Sequence, residues 1–111
     1  MPRFFSGRLP DLNLGSARGT SAAPDLVGRV MAVIETASPF TAVLDGRFTG
    51  GYITRHFGRP DQDIHALQLE MAEIAYMDEA PPYAYEAARA APLRDVLERV
   101  MRVVLRWAAQ R

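Results

Sequence analysis

The stretch His65-Ala66-Leu67-Gln68-Leu69-Glu70-Met71 constrains the fold most tightly, because it alternates like a strand yet carries apolar residues on both sides. At period two, Leu67, Leu69 and Met71 share one side, while Ile64, Ala66, Gln68 and Glu70 share the other. That pattern predicts a strand in the middle of an α/β sheet, covered on both faces, rather than one with a wet face. Glu70 is the anomaly within it. A carboxylate in such a strand is costly unless something pairs with it or uses it. Open α/β sheets gather their chemistry at the carboxyl ends of strands, and Glu70 lies at that end. The segment alone leaves two readings open: a catalytic carboxylate, or a strand that stops at Leu69 and lets Glu70 turn out to solvent, the commoner fate of a glutamate.

A chain of 111 residues supports one domain, and with 49% of its residues hydrophobic it can build a modest core. Thirteen acidic and thirteen basic residues cancel, so no global field draws the chain to nucleic acid or to an anionic membrane. All thirteen basic residues are arginine, which suits bidentate recognition of carboxylates, although an alanine- and arginine-rich composition also follows from the base composition of coding DNA. There is no cysteine, which excludes disulfides and thiolate metal sites. The opening residues Met1 to Gly7 hold no apolar run of signal-peptide length, and no span is able to cross a bilayer, so the expected setting is a soluble cytoplasmic protein.

Residues 1 to 22, with Pro2, Pro10 and three glycines among Leu9, Leu12 and Leu14, predict an ordered loop. Pro24 and Asp25 suit a first helical turn, and Leu26, Val27, Val30, Met31, Ile34 and Ala37 follow at helical spacing until Ser38-Pro39. Thr41 to Leu44 reads as a short strand, Asp45-Gly46 as a turn, and Tyr52 to Phe57 as a second extended run, together a hairpin-like arm. Arg47, Arg55, His56 and Arg59 group among glycines there, as in a polar arm closing over an anionic ligand, or as solvated loop arginines. His56 is weak as a metal ligand in isolation, and His65 lies on the strand face opposite Glu70. After the break at Pro81-Pro82, Tyr83 to Ala90 predicts a short helix, and Pro92 starts a longer one to about Gln110. Its apolar stripe is Leu93, Val96, Leu97, Val100, Val104, Trp107 and Ala108. The pairs Asp95–Arg99 and Glu98–Arg102 mark a solvated opposite face rather than a nucleic-acid patch.

Read together, several of these blocks resemble the C-terminal part of the N-formylglutamate amidohydrolases, metal-dependent hydrolases related in fold to zinc carboxypeptidases. The matching segments are Pro2-Arg3-Phe4-Phe5, Leu9-Pro10-Asp11-Leu12-Asn13-Leu14-Gly15, Gly46-Arg47-Phe48, Gly50-Gly51-Tyr52-Ile53-Thr54-Arg55-His56, Gly58-Arg59-Pro60, His65 to Met71 and Tyr76-Met77-Asp78-Glu79. The resemblance implies an α/β fold, a partial zinc-carboxypeptidase-like three-layer sheet with flanking helices whose N-terminal strands are absent, so that residues 1–111 form a single incomplete domain. It implies hydrolysis of the formyl amide of N-formyl-L-glutamate to formate and glutamate, a step of histidine degradation, with a divalent metal, zinc by this resemblance, activating water. Glu70 falls where related carboxypeptidases keep their catalytic glutamate, and Arg47, Arg55, Arg59 and Asn13 would bind the substrate, an acylated acidic amino acid.

The departure from the family pattern is equally specific. Its metal ligands, a His-x-x-Glu pair and a later histidine, have no counterpart here, and His56 and His65 do not occupy those positions. The metal ligands are therefore expected outside this chain. An incomplete sheet should leave an open edge and an uncovered apolar face, favouring self-association or a complementing N-terminal segment. The competing readings are an inactive truncated relic or interaction module, and a small α/β binding domain in which Glu70 and the arginines are structural.

Overall fold

The two ends of the first strand show how the sheet is held. A computed structural model describes all of residues 1–111. In it β1 (Leu12–Gly15) lies between β2 (Ala42–Leu44), to which it is parallel, and β3 (Gln68–Met71), to which it is antiparallel. The Asp11 carboxylate, just before β1, accepts hydrogen bonds from the Thr41 backbone N–H and hydroxyl. The Asp45 carboxylate, just after β2, accepts from the Ser16 backbone N–H and hydroxyl. Each carboxylate thus ties a strand end to the neighbouring strand, and Asp11, 3% exposed, also meets Arg8.

Helix α1 (Pro24–Glu35) makes the crossover that the parallel β1–β2 pair requires. Pro24 opens it, where the missing N–H costs nothing, and Asp25 stands at the positive end of its dipole. Its stripe Leu26, Val27, Val30, Met31 and Ile34 is buried against the sheet, as the spacing predicts. Helix α3 (Ala87–Ala109) packs on α1 through Leu93, Val96, Val100 and Trp107. Leu12 and Leu14 complete this core from β1. Fully burying a side chain of this size contributes about 1.5–3 kcal/mol. No helix is long and apolar enough to cross a membrane.

Several expectations are corrected. Residues 1–22 are not all loop, because β1 within them is the central strand. The strand is four residues long, and the fully buried Asn13 at its centre interrupts the apolar pattern. The strand bearing Glu70 lies at a sheet edge, and all four of its residues are half-buried. Its sides also differ. Leu69 and Met71 pack on the core, while Gln68 and Glu70 face the polar loop 45–51. Helices α1 and α3 pack on the Leu69 and Met71 side.

Tyr52–Phe57 is a helix, α2, rather than an extended run. Its aromatic and β-branched residues favour strands, but Arg55 N–H closes a helical turn on the Gly51 carbonyl and the Thr54 side chain is buried. Finally, the two expected C-terminal helices are one. Pro92 sits inside the second turn of α3, where it forfeits only the hydrogen bond to the Ala88 carbonyl.

Candidate functional site

The polar face of the sheet is where chemistry-bearing side chains meet. Register pairs Glu70 on β3 with Asn13 on β1. Asn13 is 1% exposed, and its carboxamide grips one backbone unit in both directions: Nδ2 donates to the Phe48 carbonyl at 2.6 Å, and Phe48 N–H donates to Oδ1 at 3.3 Å. This clamp holds the loop that carries Arg47 against the sheet. The loop lies so close that a Cβ on Gly15 would stand 2.7 Å from the Gly50 nitrogen. Gly50 itself adopts φ +110°, a conformation open to glycine and strained for other residues.

From that turn two further links run outward. The Gly50 carbonyl accepts from Arg55 Nη1 at 2.9 Å, fixing the guanidinium at the start of α2. The Gly51 N–H donates to Gln68 Oε1 at 2.8 Å, and Gln68 Nε2 donates to Glu70 Oε1 at 2.7 Å. Glu70 therefore stands in one hydrogen-bonded chain with the arginine-bearing loop. Its second oxygen, Oε2, has no partner within the protein, and since no buried side-chain polar atom is left unpaired, Oε2 is open to solvent.

The arginines differ in their surroundings. The Arg47 guanidinium lies over the exposed Phe5 ring, 4.9 Å from its centroid, a cation–π arrangement. Arg59 is joined to this region through its backbone, which exchanges hydrogen bonds with Ile64 at 2.7 and 3.0 Å, and its guanidinium binds none of the other four residues. The chain's ion pairs use Arg3, Arg8, Arg29, Arg89, Arg102 and Arg111. Arg47, Arg55 and Arg59 have no carboxylate partner. The structure thus connects Glu70, Asn13, Arg47 and Arg55 through one loop, and leaves Arg59 at its margin.

Gln68 escaped the sequence reading although its signal was present, since period two already placed it on the Glu70 side of the strand. The histidines contribute no metal centre. His65 Nδ1 accepts from Ala23 N–H, its Nε2 donates to Asp63, and its ring meets Trp107 edge-on. His56 stacks on Tyr52. No three His, Asp or Glu side chains converge as a metal site would need, so the donor set of this chain does not fit a bound zinc.

The two displaced carboxylates belong to the helix-covered side. The indole N–H of Trp107 donates to Asp25 and, with Arg29, holds that carboxyl below its ordinary range. His65 and then Arg111 do the same for Asp63.

A mixed α/β unit with one apolar, helix-covered face and one polar face opening on an arginine loop is what these residues build, and the same chain path exists among solved structures. The N-formylglutamate amidohydrolase of Ralstonia eutropha JMP134 superposes with a TM-score of 0.76 at 24% identity, over 93% of this chain and 39% of that one. The chain belongs to the N-formylglutamate amidohydrolase family, whose model matches residues 1–77. It is 47% identical over 111 residues to the N-formylglutamate deformylase of Pseudomonas aeruginosa and 44% identical to that of Pseudomonas putida. All of this chain is matched, but it spans only 42% of the length of each of these relatives.

Proposed function

We propose that this chain supplies the proton-transferring carboxylate and the carboxylate-binding arginines of an enzyme that hydrolyses the formyl amide of N-formyl-L-glutamate. The observation that carries this reading is Glu70 with one oxygen free, linked through Gln68 to a loop whose arginines have no internal anion. The deformylase names of its relatives agree with that chemistry.

In the reaction Glu70 Oε2 takes a proton from the attacking water as its oxygen bonds to the formyl carbon. It returns that proton to the amide nitrogen as the C–N bond breaks, so that formate and glutamate leave. Arg47 and Arg55, with Arg59 at the margin, offer planar forked donors to the two substrate carboxylates. Asn13 serves beneath them by fixing the Arg47 loop. The family resemblance further proposes a zinc-carboxypeptidase-like setting and a divalent metal, zinc, with ligands outside residues 1–111. We place the reaction in histidine degradation and the protein in the cytoplasm.

The lack of convergent metal ligands is also the observation that favours a non-catalytic relic. One experiment separates the two: formate release from N-formyl-L-glutamate by the protein isolated from its source cell, with and without added zinc. Release that disappears in Glu70→Gln supports the hydrolase, and no release under either condition supports the relic.

A further inference from the structure

We propose that Gln68 is a positioning residue that sets the Glu70 carboxylate for proton transfer and couples it to the arginine loop, a role that rests on the hydrolase reading above.

The direction of the Gln68 carboxamide is determined by its neighbours. The Gly51 N–H can only donate, so it must meet the amide oxygen, and it does so at 2.8 Å. The amide nitrogen is then turned to the other side, where Glu70 Oε1 accepts from it at 2.7 Å. A carboxylate bound through one oxygen by a fixed donor keeps a defined plane, with the second oxygen presented to reactants. Oε2 is that second oxygen, and nothing else in the chain bonds to either oxygen of Glu70.

The same amide reports the position of the arginine loop. Gly51 is the N-cap of α2, and its neighbour Gly50 holds Arg55 through its carbonyl. A shift of the loop on substrate binding would pull on Gly51, then on Gln68, and so reorient Glu70. Binding of the substrate carboxylates and alignment of the base are thereby joined through two hydrogen bonds. A misplacement of about 1 Å in such a base costs on the order of 100-fold in rate.

The two bonds can be cut separately. Gln68→Glu retains an acceptor for Gly51 N–H but loses the donor to Glu70 and sets a second carboxylate beside it. Gln68→Met, of similar length, loses both. Steady-state kinetics at pH 8 on the native protein should show Gln68→Glu with kcat lowered about 10- to 100-fold and KM within about twofold of the parent. Gln68→Met should lower kcat and also raise KM, because the arginine loop loses its anchor. Thermal midpoints confirm that each variant is folded. A purely packing role would move both kinetic constants, or neither, in the two variants alike. If Gln68→Glu turns over as fast as the parent while Glu70→Gln is inactive, the positioning role is overturned and the hydrolase reading survives. If the parent itself does not hydrolyse N-formyl-L-glutamate, both fall together.

Discussion

The two sides of this sheet treat their polar groups in opposite ways. On the helix-covered side, Trp107 donates to Asp25, Arg111 lies over the Trp107 ring and binds Asp63, and His65 bridges Asp63 to the Ala23 backbone. Asp25 and Asp63 are both answered within the chain. On the loop side, Arg47, Arg55 and Arg59 have no carboxylate partner, and Glu70 keeps one oxygen free. A region whose polar groups answer one another locks the ends of helices to the sheet, whereas one that leaves matched charges unanswered is arranged for a ligand.

The sharpest way to break this contrast is Glu70→Gln. It should lower formate release by about 100- to 10,000-fold, the usual share of general acid–base catalysis, with little change in the thermal midpoint. A midpoint that fell with activity would make Glu70 structural. The converse variant is Trp107→Ala on the other side, which should destabilise the fold by about 3–5 kcal/mol in urea unfolding, since a large buried aromatic is lost together with its bond to Asp25. Stability held within about 1 kcal/mol would mean that this end of α3 is loosely attached.

A smaller effect is expected from Arg55→Ala. It should raise KM for N-formyl-L-glutamate by about 10-fold, matching the loss of one charge-assisted hydrogen bond of about 1.5 kcal/mol, while kcat changes less. An unchanged KM would return Arg55 to the solvated loop. The gentlest test is acid. Asp25 and Asp63 hold their charge in the folded protein to lower pH than in the unfolded chain. The unfolded state therefore binds protons first as pH falls. The stabilisation is complete above the ordinary carboxylate range and fades below about pH 4. Urea midpoints compared at neutral and acid pH should show that slope. Trp107→Phe, which keeps a ring but loses the indole N–H, should flatten the part owed to Asp25.

Most of the helical framework was legible because long periodic segments declare their buried face. The stripe from Leu26 to Ile34 and that from Leu93 to Trp107 both pack as their spacing requires. Glu98–Arg102 forms, although its companion Asp95–Arg99 does not appear among the ion pairs. Short elements were the failures. Leu12–Gly15 has four residues and a central asparagine, too little pattern to announce a central strand. Tyr52–Phe57 has local preferences for strand that its six-residue helix overrides, with Thr54 buried behind Gly50. Pro92 read as a start because proline favours the first turn, and the helix instead reaches back to Ala87.

The amino-acid sequence alone determined the two amphipathic helices, the strand carrying Glu70, the arginine-rich glycine segment and the family to which those residues point. Each of these lies in a stretch whose own residues carry the signal. Tertiary structure alone decided that β1 is central, that β3 is an edge, and that Asn13 and Gln68 join Glu70 to the loop of Arg47 and Arg55. Those facts depend on pairings between residues distant in sequence, Asn13 with Phe48 at 35 positions and the still more distant Leu12 with Met71 among them, and no local pattern specifies which distant backbone group a buried amide will meet.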